Sequence, residues 1–174
     1  MDSILIIDDN EEFVEDTVHS LKNKFNCHTA PTGEAGLESV KETDPDLILL
    51  DYDLGQGASG LEILQTLVAD YKDIPIIMVT KESGVRTVVK AMKLGAFDYV
   101  VKNTSRDEFL DVIRKGMELR RVKIQNAWLR RSLQESLGSL IGESAAILRL
   151  KNEIQDAAAT DLSVLITGDT GTGK

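Results

Sequence analysis

The sequence predicts an α/β fold in which helices cover both faces of a doubly wound parallel sheet. Short apolar runs without polar alternation, such as Ile4–Ile7, Leu47–Leu50 and Ile76–Val79, are typical of strands that are buried on both faces. Segments with helical spacing of their apolar residues separate these runs, and this alternation of strand and helix indicates βαβ units. Each run also stops at a polar or charged residue, which predicts chemistry at one edge of the sheet.

Five strands are expected, and prolines help to delimit two of them. Pro45 disfavours helix at Asp44 and leads the chain into the third strand, while Pro75 opens the fourth. The expected strands are, in chain order, Ser3–Asp8, Phe25–Ala30, Leu47–Leu50, Ile76–Val79 and Asp98–Lys102.

Capping residues mark the ends of the predicted helices. Asn10 is placed to cap the first helix, and Ser59 with Glu62 forms the capping-box pattern at the start of the third. Gly95 is placed to end the fourth helix in a left-handed conformation. The other expected limits are Thr32–Thr43 for the second helix, Ser83–Leu94 for the fourth and a cap at Thr104 for the fifth.

Charge and composition narrow the class of protein. Residues 1–118 hold 23 acidic and 12 basic side chains, which argues against nucleic-acid binding by this part of the chain. No apolar stretch approaches the length of a membrane span, and the acidic start of the sequence is unlike a secretion signal. We therefore expect a cytoplasmic protein with no membrane partner.

Reactive side chains follow four of the predicted strands. Asp8 and Asp9 follow the first strand, and Asp51 follows the third. Thr80 follows the fourth strand and Lys102 the fifth. Because parallel strands present their carboxyl ends at one edge of the sheet, we expect three carboxylates, a hydroxyl and an ammonium group to converge there. We interpret Asp51, at the end of the central strand, as a nucleophile.

These residues, in this order and spacing, resemble the receiver domain of bacterial two-component response regulators. The motifs are the acid pair Asp8–Asp9, LLD at Asp51, MVT at Thr80 and VVK at Lys102, and the resemblance covers about residues 1–118. It implies the flavodoxin-like strand order 2-1-3-4-5. It also implies that Asp51 accepts a phosphoryl group from a sensor histidine kinase.

A carboxylate that attacks phosphorus needs a cation, because both partners carry negative charge. Mg²⁺, or Mn²⁺, fulfils this role with carboxylate and phosphate oxygens as ligands. We expect Asp9 and Asp51 to bind the metal directly and Asp8 to bind it through water, and the resemblance adds the backbone carbonyl of Asp53. Without metal, the clustered acids should raise the pKa of at least one of them.

The resemblance also implies a switch at the same edge of the sheet. Lys102 would meet the phosphoryl oxygens, and the Thr80 hydroxyl would move toward them. Tyr99 would fill the space that Thr80 leaves and change the surface of helix 4, strand 5 and helix 5. The alternative is that Tyr99 is a static packing residue. Asn103 stands where receivers usually have proline, so we expect a trans peptide bond after Lys102.

The fifth helix is expected to continue as a linker to about Leu137, because the segment from Thr104 onward has no proline and a single glycine, Gly116. A short heptad seam follows, formed by Leu119, Val122, Asn126, Leu129 and Leu133. Asn126 at an a-type position favours a parallel homodimer. The alternative is a single amphipathic linker helix.

The C-terminal segment resembles the start of the AAA+ ATPase domain of sigma-54-dependent transcriptional activators. An LIGES sequence begins it, and the phosphate-loop pattern ends it with Gly168, Gly171, Gly173 and Lys174. We therefore expect a receiver at 1–118, a linker at 119–138 and a truncated ATPase piece at 139–174 that neither binds ATP nor folds stably alone. The parent protein would contact sigma-54 RNA polymerase and DNA, but this chain lacks those elements.

The same acids also allow an alternative interpretation, in which the chain is an enzyme. Asp51 and Asp53 form a DxD motif after an apolar strand, which resembles haloacid-dehalogenase phosphatases. In that class the first acid is the nucleophile and the second the general acid. The motif normally lies on the first strand, whereas here it lies on the third.

Overall fold

The computed structural model of the chain describes residues 1–55, 57–81, 84–137 and 144–159. It also describes the single residues 142, 163, 165 and 167. For residues 133–137 it describes the backbone only. The chain divides into two compact units, Met1–Ile124 and Gln125–Lys174. In the described part of the chain, no helix is long and apolar enough to cross a membrane.

The first unit contains a five-stranded, wholly parallel sheet with the order β2-β1-β3-β4-β5. Its strands are β1 Ser3–Ile7, β2 Asn26–Ala30, β3 Leu47–Asp51, β4 Ile76–Thr80 and β5 Asp98–Val101. Its helices are α1 Glu11–Leu21, α2 Gly33–Thr43, α3 Gly60–Asp70, α4 Val85–Lys93 and α5 Arg106–Leu137, the last of which continues into the second unit. The predicted fold class and strand order are confirmed.

Two hydrophobic cores cover the two faces of the sheet, because neighbouring residues of a strand point to opposite sides. In β3, Ile48 and Leu50 belong to the core that includes residues of α2 and α3. Leu47 and Leu49 belong to the other core, with residues of α1 and α5. All four side chains are fully buried, so the continuous apolar run is explained by helices on both faces.

Most of the predicted helix ends agree with the structure. The Asn10 side chain accepts a hydrogen bond from the Phe13 amide, Ser59 and Glu62 form both bonds of the capping box, and Gly95 has φ +101°. At α5 the cap is Ser105 rather than Thr104, because the Ser105 hydroxyl accepts a hydrogen bond from the Glu108 amide at 3.3 Å.

The remaining differences are shifts of one or two residues at the ends of elements. Strand β2 begins at Asn26 rather than Phe25, and β3 and β4 extend by one residue to Asp51 and Thr80. Strands β1 and β5 end at Ile7 and Val101, one residue earlier than predicted, although the amides of Asp8 and Lys102 still bond to neighbouring strands. The last positions of a strand are sensitive to the criterion used. Helix α4 begins at Val85, and the predicted start at Ser83 lies outside the described residues.

The long fifth helix is confirmed, since α5 contains 32 residues and ends at Leu137. Its only glycine lies where the helix packs on the sheet. A Cβ atom at Gly116 would lie 2.6 Å from Leu47 Cδ1. Gly116 therefore permits the close approach of α5 to β3.

In the second unit, α6 spans Ala145–Ala158, and the Ser144 side chain caps it through the Ile147 amide. The composition of this segment, which is rich in alanine, favours helix. The four residues of the phosphate-loop pattern, Gly168, Gly171, Gly173 and Lys174, lie outside the described residues. The predicted domain limits remain a prediction.

Candidate functional site

The ends of four parallel strands bring the predicted site residues to one edge of the sheet. Asp51 and Thr80 are the last residues of β3 and β4, and Asp8 directly follows β1. Lys102 directly follows β5, and its amide donates to the Thr80 carbonyl at 2.8 Å. Asp8, Asp51 and Thr80 are each at most 6% exposed. The sheet therefore holds polar groups that are largely shielded from water.

Lys102 lies between two of the buried acids. Its Nζ atom donates to Asp8 Oδ1 at 2.9 Å and lies 2.7 Å from Asp8 Oδ2. The same Nζ atom lies 3.2 Å from Asp51 Oδ2. Only 8% of the Lys102 side chain is exposed, so its charge is compensated by these carboxylates more than by solvent.

The two carboxylate oxygens of Asp8 have different surroundings. Asp8 Oδ1 accepts hydrogen bonds from the Asn10 amide, at 2.9 Å, and from Lys102. Asp8 Oδ2 is buried and accepts no hydrogen bond from the described residues, and Lys102 Nζ lies 2.7 Å away as its ion-pair partner. A buried oxygen of this kind is a suitable acceptor for a metal-bound water or a cation.

The environment of Asp51 disfavours its charged form. Burial, and after it the negative charge of Asp8, raise the pKa of Asp51, and the net value is about 6. Lys102 and the backbone amide of Asp53 act in the opposite direction but do not cancel the effect. The expected pKa increase within the acid cluster is confirmed, although burial contributes more to it than repulsion between the acids.

The three acids form a cluster with the composition of a divalent-cation site. Asp8, Asp9 and Asp51 each offer a carboxylate oxygen, and these atoms lie within 4.8 Å of one another. With Lys102 counted, the ionised cluster carries a net charge of about −2, which a divalent cation would balance. Carboxylate oxygens are the donors preferred by Mg²⁺ and Mn²⁺. The residues therefore fit the predicted metal, and Asp9 is the exposed member of the set.

Gly55 contributes to the shape of this site. Its φ of +67° is in the left-handed region, which a proline cannot adopt. A Cβ atom at this position would lie 2.6 Å from Asp9 Oδ2. Glycine at this position therefore leaves room for the Asp9 carboxylate.

The other predicted site residues have different surroundings. Tyr99 is half-buried and packs against the same core as α2 and α3, while Asp53 is exposed. The peptide bond after Lys102 is trans, as predicted. Of the linker seam, Val122, Asn126 and Leu129 are exposed and Leu119 is half-buried, and the Leu133 side chain lies outside the described residues.

The ring of Phe13, a residue of α1, lies under the site lysine. The Lys102 Nζ atom is 4.6 Å from the centroid of the Phe13 ring. The sequence places an apolar residue, Phe13, on the inner side of α1. It does not indicate that the Phe13 ring contacts the ammonium group of Lys102, which lies about 90 residues later in the chain. This contact depends on tertiary packing.

Comparison with protein families identifies two matches along the chain. Residues 4–114 match the family described as "Response regulator receiver domain". Residues 140–174 match the family described as "Sigma-54 interaction domain". The first match covers more than half of the chain.

Curated relatives match this chain over 75–98% of its length. DctD of Pseudomonas aeruginosa, a C4-dicarboxylate transport transcriptional regulatory protein, is 36% identical over 75% of this chain and 29% of its own length. The transcriptional regulatory protein ZraR of Salmonella typhimurium is 34% identical over 98% of this chain and 38% of its own length. The regulatory protein AtoC of Escherichia coli is 30% identical with the same coverage. The chain thus spans about a third of the length of these relatives.

Solved structures show the same fold. NtrX from Brucella abortus superimposes with a TM-score of 0.70 and 25% identity, over 91% of this chain and 35% of that protein. A CheY-like receiver domain protein from Methanospirillum hungatei has a TM-score of 0.66 and 23% identity, over 71% of this chain and 98% of its own. These matches do not favour the haloacid-dehalogenase alternative.

Proposed function

The chain belongs to the response regulator receiver domain family, and we propose on this premise that Asp51 accepts a phosphoryl group from a sensor histidine kinase. The observation that carries the proposal is the position of Asp51, buried at the end of the central strand, with the Lys102 ammonium 3.2 Å from its carboxylate. Asp51 is a regulatory phosphoacceptor in this proposal, and the chain has no turnover as an enzyme.

The proposed transfer is a displacement at phosphorus. An oxygen of the ionised Asp51 carboxylate forms a bond to phosphorus while the bond between phosphorus and the kinase histidine nitrogen breaks, and the electron pair goes to that nitrogen. A cation such as Mg²⁺, held by Asp9, Asp51, the Asp53 carbonyl and, through water, Asp8, would neutralise charge on the phosphoryl oxygens. Lys102, whose Nζ atom lies 3.2 Å from Asp51 Oδ2, supplies a further positive charge.

We propose that Thr80 and Tyr99 convert phosphorylation into a change of surface. Thr80 is the last residue of β4, next to the phosphoacceptor strand, and its side chain is buried beside the site. A new hydrogen bond from its hydroxyl to the phosphoryl group would draw it inward. Tyr99, half-buried on the neighbouring strand, would then occupy the vacated space and alter the surface of α4, β5 and α5.

We further propose that the chain is the input part of a cytoplasmic, sigma-54-dependent transcription activator. The support is the match of residues 140–174 to a sigma-54 interaction domain and the similarity to DctD, AtoC and ZraR. Residues 1–118 would be the receiver, 119–138 a dimerising linker and 139–174 the start of the ATPase domain. DNA and sigma-54 RNA polymerase would be partners of the longer protein.

Intact-mass measurement tests the phosphoacceptor proposal. The wild-type chain, treated with acetyl phosphate and Mg²⁺, should gain the mass of one phosphoryl group, and EDTA should prevent the gain. Asp51→Asn should show no gain. Asp53→Asn is the matched control, because it changes an exposed acid two residues away and should leave the gain intact.

The same samples separate this proposal from the phosphatase alternative. A haloacid-dehalogenase-like enzyme would turn over p-nitrophenyl phosphate and would depend on Asp53 as general acid. We expect no turnover by the wild-type chain. Sustained turnover that Asp53→Asn abolishes would contradict the receiver proposal.

A further inference from the structure

We propose that Phe13 is a positioning residue for the phosphoryl transfer, because its ring holds the Lys102 ammonium toward Asp51 through a cation–π contact. The inference rests on the proposed phosphoacceptor function of Asp51. It assigns a role to a residue of α1 that contributes no charge, proton or metal ligand.

The geometry of the contact is that of a cation–π interaction. The Lys102 Nζ atom lies 4.6 Å from the Phe13 ring centroid, inside the distance of about 6 Å at which a ring face attracts a cation. The Lys102 side chain is only 8% exposed, so little water competes for its charge. Such contacts are stronger when the cation is desolvated.

Hydrogen bonds from Phe13 to Asn10, the N-cap of α1, and from Asn10 to Asp8 hold the Phe13 backbone in place. The Phe13 amide donates to the Asn10 side chain at 2.9 Å, and the Asn10 amide donates to Asp8 Oδ1 at 2.9 Å. Lys102 then donates to the same Asp8 oxygen. The contacts form a closed path from Asp8 through Asn10 and Phe13 to Lys102 and back to Asp8.

These contacts restrain the Lys102 side chain, which would otherwise be flexible. Lysine carries a compact charge on a stem with several rotatable bonds. The carboxylates of Asp8 and Asp51 hold the ammonium on one side, and the Phe13 ring contacts it as well. The ammonium is therefore already placed before a phosphoryl group arrives, which lowers the reorganisation needed during transfer.

The consequence for the reaction follows from the charge that Lys102 meets. With acetyl phosphate as donor, an Asp51 oxygen bonds to phosphorus, the bond between phosphorus and the acetyl oxygen breaks, and acetate leaves with the electron pair. Lys102 stabilises the charge on the phosphoryl oxygens during this step. A less restrained ammonium would slow the transfer without preventing it.

The experiment measures the initial rate of phosphorylation of the full chain by acetyl phosphate with saturating Mg²⁺. Phe13→Leu should be about two- to thirty-fold slower, the range that corresponds to a cation–π contact. Phe13→Tyr, which keeps the ring, should retain most of the rate. Phe25→Leu is the matched control, because Phe25 is a partly buried phenylalanine packed against the same core as Phe13.

Fluorinated phenylalanines at position 13 distinguish the ring's charge distribution from its volume. One, two and three fluorine atoms progressively weaken the negative face of the ring with little change in size. The logarithm of the rate should fall stepwise along this series. In the NMR spectrum of the chain without phosphodonor, the Hε protons of Lys102 should show a ring-current shift that Phe13→Leu removes.

Two kinds of failure are distinguishable. If the wild-type chain accepts a phosphoryl group and Phe13→Leu does so at the same rate, the role of Phe13 alone is overturned. The same holds if all the fluorinated variants react at the wild-type rate. A wild-type chain that accepts no phosphoryl group at all would overturn the proposed function of Asp51 and this inference with it. A stepwise decline together with the Lys102 ring-current shift supports both.

Discussion

Replacing Asp51 with asparagine should stabilise the metal-free protein at neutral pH, although it removes the proposed phosphoacceptor. Burial and Asp8 raise the pKa of Asp51 from 3.8 to about 6. Each tenfold change in proton affinity is worth about 1.36 kcal/mol, so ionised Asp51 costs the native state about 3 kcal/mol. Asparagine removes the charge, keeps the shape and leaves Lys102 paired with Asp8.

The pH range of the effect follows from the direction of the pKa change. Because the native state binds the Asp51 proton more tightly than the unfolded state, this residue lowers the free energy of unfolding as the pH rises from about 3.8 to about 6. The advantage of Asp51→Asn should therefore be near zero at pH 4 and reach about 3 kcal/mol above pH 7.

Urea unfolding in EDTA, at pH values from 4 to 7.5, measures this difference. Asp53→Asn is the control, because Asp53 is exposed and its replacement should leave the free energy of unfolding nearly unchanged. Adding Mg²⁺ at about 100 times its dissociation constant should stabilise the wild type by about 2.7 kcal/mol and remove most of the difference. Equal stabilities at pH 7.5 in EDTA, or a difference that does not vary with pH, would refute the reasoning.

Three further predictions follow from other contacts. Mg²⁺ binding, measured by calorimetry, should weaken roughly tenfold for each pH unit below about 6, because Asp51 must lose its proton, and a constant affinity would contradict this. Gly116→Val should lower the free energy of unfolding by about 1–3 kcal/mol, since the added carbon atoms enter the space of Leu47. An unchanged urea midpoint would contradict this and show that α5 can move away from β3. Leu129→Glu should shift the chain from dimer to monomer in light scattering. Ile124→Glu should not, because Ile124 is about equally exposed but lies off the seam. A wild-type chain that is monomeric at high micromolar concentration would refute the seam.

Much of the fold could be predicted because its signals are local. The apolar run Leu47–Leu50 indicates a strand buried on both faces without any knowledge of its neighbours. Ser59 with Glu62, and Gly95, mark helix ends through bonds that span only a few residues. Boundaries such as that at Ser105 were missed by one residue, because adjacent Thr104 and Ser105 carry equally suitable hydroxyl groups.

The site was predictable in its members but not in its contacts. The sequence indicates that Asp8, Asp51 and Lys102 meet, because each lies at or directly after the carboxyl end of a parallel strand. It does not indicate that Lys102 contacts both acids, or that Phe13 lies beneath it. The contact with Phe13 depends on how α1 packs against the sheet. The strand order came from the resemblance to receivers, since strand patterns alone do not determine which strands are neighbours.

The measurement that tests the central claim most directly is the location of the phosphoryl group on the chain. Borohydride reduces an aspartyl phosphate to homoserine, so treatment of the phosphorylated chain followed by peptide mass spectrometry identifies the modified residue. We predict homoserine at position 51 and unmodified aspartate at positions 8, 9 and 53. Homoserine at one of those three positions, with Asp51 unchanged, would contradict the assignment of Asp51 as the phosphoacceptor.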